Sequence, residues 1–251
     1  MLRRFLAPLF AAILSVSVLQ SATVRAAPLL DIMVLVDGSG SVSNPDYETQ
    51  RAAVQNLFDS FTIGAADAKF GLVQFSTGAT LLSGLSDNAA ALQNTLATMT
   101  QPFGQTNHGD AFQLANTELS TNGRAGARQA VIILTDGVAN EPVGPGINPL
   151  SHAIGAADDL KANGIEIFGV GIGGAIAIGD IEDYASPPTE DYAFHVSDHD
   201  SLQSALDIII ADLQATDGEL SETRVSAPAP LALFGLGLGV LALYRRRIAA
   251  A

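Results

Sequence analysis

Leu29-Leu30-Asp31-Ile32-Met33-Val34-Leu35-Val36-Asp37-Gly38-Ser39-Gly40-Ser41 is the stretch that decides the fold. Leu29 to Val36 is apolar except for Asp31, the pattern of a strand buried on both faces. The run ends in an acid, and two glycines then alternate with two serines. The spacing i, i+2, i+4 lets one carboxylate and two hydroxyls converge, while the glycines let the backbone turn tightly. In a doubly wound sheet, ligands bind beyond the carboxyl ends of the strands, which is where this turn falls.

Outward from that strand, helical and strand-like segments alternate. Asn44-Pro45 opens a helix to about Phe61, with Val54, Leu57, Phe58 and Phe61 on one face. Phe70 to Phe75 and Thr80 to Leu85 read as a hairpin around Thr77-Gly78. Helices are expected over Ala89 to Met99, His108 to Leu119 and Asn148 to Ala162, the last closed by Asn163-Gly164. Ala130 to Leu134, Ile165 to Val170 and the short Ala193 to Val196 read as strands, and Ser201 to Leu213 as a final amphipathic helix. This order predicts an α/β fold over 29–215: a doubly wound, mostly parallel sheet flanked by helices.

A second strand exit, Leu134-Thr135-Asp136-Gly137, brings another carboxylate to the same edge. Between the two lies Gly104-Gln105-Thr106-Asn107-His108-Gly109-Asp110-Ala111-Phe112, a loop entering a helix. Asp-x-Ser-x-Ser, then Gly-x-Thr-x-x-Gly-x-Ala-Phe, then Thr-Asp-Gly, in that order, resemble the von Willebrand factor A domain over most of 29–215. The resemblance implies a Rossmann-like fold and a metal-ion-dependent adhesion site. In it Ser39, Ser41 and Thr106 would offer hydroxyl oxygens to a divalent cation, and Asp37 and Asp136 would bind it directly or through water. The all-oxygen set suits Mg²⁺, with Mn²⁺ or Ca²⁺ as alternatives. The implied role is non-enzymatic: a partner protein's Asp or Glu completes the cation's coordination. The family can also shift its last helix on binding, here about Ser201 to Leu213.

Rival patterns are weaker. Asp37, Ser39, Ser41 and Glu48 fall at EF-hand positions, but Val42 stands where the sharp turn needs Gly, and a strand precedes the loop. A bare turn capping the next helix through Ser43 or Asn44 explains one segment and not the coincidence of three. Gly169-Val170-Gly171-Ile172-Gly173-Gly174 fits a dinucleotide fingerprint, yet it comes late and Ala175 to Gly179 starts a helix poorly, so a glycine-rich strand exit is expected. Neither Lys69 nor Lys161 carries the glycines of a phosphate-binding loop, and no Gly-x-Ser-x-Gly elbow occurs. A metal-dependent hydrolase using the same cation lacks an evident general base. His152, His195 and His199 read as partly exposed polar positions, and His108 as a solvated residue at the site's rim that could meet a ligand. Phe103 and Phe112 read as core or rim packing.

The 251 residues carry 12 Lys+Arg against 26 Asp+Glu and no Cys, with 48% hydrophobic residues. Sufficient apolar content for a core excludes a disordered chain, and missing cysteines exclude disulfides, thiolate metal sites and a Cys nucleophile. Six of the basic residues lie outside 27–244, which is left at a formal 6 − 26 = −20. Nucleic-acid binding needs clustered Lys/Arg and is disfavoured.

The basic ends read as targeting signals. Residues 1–26, with Arg3-Arg4 before the apolar run Phe5 to Leu19, form an export signal peptide cleaved after Ala26. Residues 216–227 form a polar linker. Ala227 to Tyr244 is uncharged and precedes Arg245-Arg246-Arg247; as a helix it would span about 27 Å, near the thickness of a bilayer core. Residues 228–247 resemble the bacterial PEP-CTERM sorting segment, with Ala229 where that motif has Glu. The resemblance implies membrane anchoring in the cell envelope and exosortase-type processing. A self-assembling surface or matrix component is the alternative role.

Overall fold

The computed structural model describes residues 29–141 and 143–215; the expected signal peptide, linker and 228–247 sorting segment lie outside the described residues. Among the described residues, six strands make one sheet: β1 Leu30–Asp37, β2 Ala68–Phe75, β3 Ala79–Ser86, β4 Arg128–Thr135, β5 Glu166–Ile172 and β6 Ala193–Val196. Their order is β3-β2-β1-β4-β5-β6. β3 returns antiparallel on β2 through the Thr77-Gly78 hairpin, and every other pairing is parallel. The direction of winding reverses between β1 and β4, so the crevice of a doubly wound sheet opens beyond Asp37 and Thr135.

β1 is buried along its whole length because both of its faces are covered. Alternate side chains of a strand point to opposite faces. Ile32, Val34 and Val36 pack with Val54, Leu57 and Phe58 of α1 (Asn44–Asp59), Leu92 and Leu96 of α2 (Ala89–Thr98) and Leu206 and Ile209 of α7 (Leu202–Gln214). Met33 and Leu35 pack with Phe112 and Leu119 of α3 (His108–Asn122) and Leu160 of α4 (Pro149–Ala162). Each fully buried side chain of this kind contributes about 1.5–3 kcal/mol, so two such layers stabilise the domain without disulfides.

Capping fixes where the helices begin. Ser43 Oγ accepts weakly from Asp46 N at 3.4 Å before α1, and Asn148 Oδ1 accepts from Ser151 N at 3.1 Å before α4. Two short helices, α5 (Ile178–Glu182) and α6 (Thr189–Tyr192), were not expected. The poor helical start at Ala175 to Gly179 yields only the five residues of α5. Gly169 and Gly171 are strand residues, as the strand-exit reading requires, and their missing Cβ atoms make room for Ile181; an added Cβ would stand 2.5 and 2.9 Å from its side chain. Among the described residues, no helix is long and apolar enough to cross a membrane.

Candidate functional site

Three loops meet at the carboxyl edge of β1 and β4. The turn after β1 carries Asp37, Ser39 and Ser41, the loop before α3 carries Thr106, and the turn after β4 carries Asp136. They form a gradient of depth: Asp37, Ser39 and Thr106 are buried, Asp136 is half-buried and Ser41 is exposed. Ser39 and Ser41 hydroxyls lie 2.9 Å apart, and Ser41 Oγ donates to Asp136 Oδ1 at 2.6 Å. Thr106 Oγ1 faces the same space. A Cβ built on Gly137 would lie 3.7 Å from Ser41 Oγ and 3.9 Å from Thr106 Oγ1, so the Gly137 turn borders the same space.

Asp37 is the deepest member. Its Oδ1 accepts from Ser39 N at 2.8 Å and its Oδ2 from Thr135 Oγ1 at 2.7 Å. Burial pushes its carboxyl up to about 6, reinforced by the nearby Asp136, while the Ser39 and Thr135 hydrogen bonds pull the other way. Among the described residues, no Lys or Arg side chain offsets this charge. All five Lys and Arg among the described residues are paired with acids: Arg51 with Glu48, Lys69 with Asp87, Arg124 with Asp31, Arg128 with Glu166 and Asp212, and Lys161 with Asp158.

Behind Asp37 runs a chain of buried polar groups. Thr135 has one hydroxyl proton, shared between Asp37 Oδ2 at 2.7 Å and Gly137 O at 3.0 Å. His108 Nε2, 3.0 Å from Thr135 Oγ1, must therefore carry a proton and donate. His108 Nδ1 is then the acceptor for the Tyr184 hydroxyl at 3.2 Å. His108 is wholly buried, contrary to its expected place in solvent at the rim, and burial alone lowers it to about 3. It supports Asp37 from below and reaches no ligand at the surface.

The Thr106 loop is clamped twice. Thr106 N donates to Asn140 Oδ1 at 2.8 Å, and Thr106 O accepts from Asn140 N at 2.9 Å. Asn107 caps α3 through Asp110 N at 3.1 Å and ties the loop to Thr77 O at 3.1 Å. Asn140, His108 and Tyr184 escaped the sequence reading as supports; only Thr135 carried a signal, beside Asp136.

The other histidines stand apart from this edge. His195 is exposed and bonds Gly173 O at 2.8 Å, and half-buried His152 lies 3.4 Å from Asp110. His199 is buried rather than partly exposed, because Gln50 Nε2 meets its Nε2 at 3.2 Å inside the α1–α7 contact. Phe112 belongs to the core, whereas Phe103 is 51% exposed. Glu48 turns to Arg51 at 2.8 Å, away from an EF-hand role.

The donor set fits a hard divalent cation. Among the described residues, no three His, Asp or Glu side chains converge as a metal group. A cation at this edge would draw on two carboxylates and three hydroxyls, all oxygen, as Mg²⁺ prefers. Its charge would also offset the uncompensated Asp37.

A doubly wound sheet with an oxygen cluster at its switch point defines the class: an α/β domain with a candidate cation edge. The chain belongs to the von Willebrand factor type A domain family, whose model matches residues 31–208. It is 30% identical over 189 residues to the collagen alpha-5(VI) chain of Mus musculus, covering 69% of this chain and 6% of the collagen. Proximal thread matrix protein 1 from the mussel byssus, in a structure with a zinc-occupied MIDAS motif, superposes with a TM-score of 0.63 at 26% identity, covering 75% of this chain and 48% of that one. The vWF domain of the type V pili tip protein Mfa5 from Porphyromonas gingivalis shares the fold, with a TM-score of 0.64 at 14% identity over 82% of this chain and 99% of that one. This chain thus spans only a small part of the collagen and about half of the thread protein. The collagen and the thread matrix protein are matrix proteins, in keeping with an exported location.

Proposed function

We propose that the domain binds a partner protein through a divalent cation, Mg²⁺ foremost with Mn²⁺ or Ca²⁺ as alternatives, held by Asp37, Ser39, Ser41, Thr106 and Asp136. The observation that carries this reading is the buried Asp37, hydrogen-bonded yet without a cationic partner, while all five Lys and Arg among the described residues are committed elsewhere. The bound cation supplies a positive point on an acidic body. Asp37 and Asp136 bring the negative charge that retains it. Ser39, Ser41 and Thr106 contribute neutral oxygens, so its charge is only partly offset and an incoming Asp or Glu carboxylate is attracted. His108, wholly buried, is held too deep to act as a general base at this edge. The role is adhesion or protein–protein interaction rather than catalysis.

The rest of the chain fits this task. Residues 1–26 act as the export signal, 216–227 as linker and 228–247 as the membrane and sorting segment, open to exosortase-type processing in the cell envelope. The start of β1 and the end of α7 lie together: Leu30 and Leu213 line one cavity of about 270 Å³. β1 has eight residues, so the cation edge stands roughly 26 Å beyond that end of the sheet. A tether leaving α7 therefore points the site away from the membrane.

Calorimetric titration with Mg²⁺ tests the reading. Wild type should bind one equivalent and Asp37→Ala none; equal binding by both would overturn it. The names of the collagen and thread matrix relatives favour a second reading, in which copies of the chain assemble into a matrix. Sedimentation at rising concentration, with and without chelator, separates the two.

A further inference from the structure

Gln101 closes the Asp37–Ser41 turn from outside. It lies in the loop between α2 and α3, and both hydrogens of its Nε2 are used. One donates to Ser39 O at 3.0 Å and the other to Val42 O at 2.8 Å. These carbonyls bracket Gly40 and Ser41, so a single side chain holds the main chain before and after the exposed Ser41 hydroxyl. The same loop is tied on by two main-chain bonds, Phe103 N to Gly38 O and Gly40 N to Gly104 O, both at 2.9 Å. It packs so closely that a Cβ on Gly38 would stand 2.5 Å from Pro102 Cδ. The turn therefore cannot widen without breaking the Gln101 bonds or displacing residues 101–104.

The other end of the carboxamide is left unmatched. Gln101 Oε1 is buried, and no donor among the described residues reaches it. An acceptor stranded in this way costs about 1–3 kcal/mol. Turning the amide over brings no relief, because it would aim that oxygen at two carbonyl oxygens. A lysine could serve both carbonyls and carries no acceptor to strand, but it would set a full positive charge beside the oxygens of Ser39 and Ser41. A neutral donor, kept at a cost in stability, is what an edge reserved for an external cation requires. The same logic leaves Asp37 without a Lys or Arg partner.

We propose that Gln101 is a positioning residue that sets the size of the cation the edge accepts. The Ser39 and Ser41 hydroxyl oxygens stand 2.9 Å apart. An octahedral ion with ligands at about 2.0–2.1 Å, the geometry Mg²⁺ demands, separates neighbouring oxygens by about 2.9 Å. Ca²⁺ takes oxygens at about 2.3–2.6 Å, which widens the same octahedral spacing to about 3.3–3.7 Å. With the carbonyls of Ser39 and Val42 pinned by one amide, the turn resists that widening. Gln101 thus favours Mg²⁺ over Ca²⁺ without touching either ion. This rests on the cation-binding reading above and adds to it the residue that decides which cation is held.

Calorimetric titration of the full chain with Mg²⁺, with Ca²⁺ and with each in competition tests this. Wild type should bind Mg²⁺ more tightly than Ca²⁺. Gln101→Met, of similar length but without donors, should lower the ratio of Mg²⁺ to Ca²⁺ affinity by about tenfold, the loss falling on Mg²⁺. A residue that only stabilised the loop would weaken both ions alike. Gln101→Lys keeps the two bonds and strands no acceptor. It should melt in EDTA at or above the wild-type temperature, yet bind both cations more weakly with their ratio preserved. That variant decides the matter if Gln101→Met fails to fold. Equal affinity of wild type for the two ions, an unchanged ratio in Gln101→Met, or undiminished Mg²⁺ binding by Gln101→Lys overturns the role of Gln101 and leaves cation binding standing. Binding of neither ion by wild type overturns both.

Discussion

Asp31 and Asp37 stand at opposite ends of β1, on the same face of the sheet, and both are fully buried. Asp31 has a cation built for it. Arg124 Nε donates to Asp31 Oδ1 at 2.8 Å, and the rest of the guanidinium closes the amino edge through the carbonyls of Ala65, Leu30 and Asp67 at 2.6–2.8 Å. Asp37 has only hydroxyl and amide donors, and its carboxyl is pushed up by burial. One strand therefore carries a carboxylate neutralised from within the chain and a carboxylate left for a cation from outside. The first belongs to stability, the second to the proposed binding.

The largest expected effect tests the first half of that contrast. Asp31→Ala leaves the Arg124 guanidinium, 16% exposed, without its carboxylate. Breaking a buried pair from one side costs about 3–5 kcal/mol, to be read from urea unfolding in EDTA. Mg²⁺ affinity of the molecules that remain folded should not change. A loss of stability below about 1 kcal/mol would show that the amino edge is not held by this pair.

Next in size is the response to metal. With free Mg²⁺ at a hundred times its Kd, the wild-type unfolding free energy should rise by about 2.7 kcal/mol. Asp37→Asn should show no such rise in thermal melts with and without EDTA. In EDTA alone the same variant should sit within about 1 kcal/mol of wild type, because it removes an uncompensated buried charge. If Asp37→Asn in EDTA proved as damaging as Asp31→Ala, the two carboxylates would share one structural role and the contrast would collapse.

Thr135→Val comes third. It keeps the shape but removes the donor to Asp37 Oδ2 and the acceptor for His108 Nε2. A buried N–H left unmet costs about 1–3 kcal/mol, visible in EDTA and Mg²⁺ alike, together with weaker Mg²⁺ binding. Thr135→Ser should restore both. Recovery of stability without recovery of affinity would separate the buried chain from the positioning of Asp37.

The sequence made some of this plain and hid the rest, for a physical reason. Asp37 to Ser41 and Thr135-Asp136-Gly137 are contiguous, so strand, turn and oxygen donors could be read together, and the alternation of β1, β4 and β5 with long helices dictates the doubly wound sheet. The Thr77-Gly78 hairpin was equally local. What stayed hidden depends on contacts far apart in the chain. Arg124 meets Asp31 across 93 positions and His108 meets Tyr184 across 76, and no local pattern announces either. The burial of His108 follows from that partner, and the burial of His199 from Gln50, 149 positions away. α5 and α6, at five and four residues, are too short for an apolar period to register. The left-handed backbone at Phe103, with φ 59°, is held by bonds from Phe103 N to Gly38 O and from Gly40 N to Gly104 O, and by Gln101 Nε2 to Ser39 O.

Ser41→Ala is the smallest expected change in stability and the finest probe of the contrast. Ser41 is exposed, and its hydroxyl touches Ser39 at 2.9 Å and Asp136 at 2.6 Å, both members of the proposed cation set. Removing an exposed hydroxyl should move unfolding in EDTA by no more than about 0.5 kcal/mol. The same change takes away one neutral oxygen and frees Asp136, so Mg²⁺ affinity should fall on the order of tenfold or more. A residue that supports only the turn would show the reverse, a stability loss with unaltered Mg²⁺ binding. The ratio of the two effects, small in EDTA and large in Mg²⁺, is what distinguishes an edge arranged for an external cation from one that merely ends a strand.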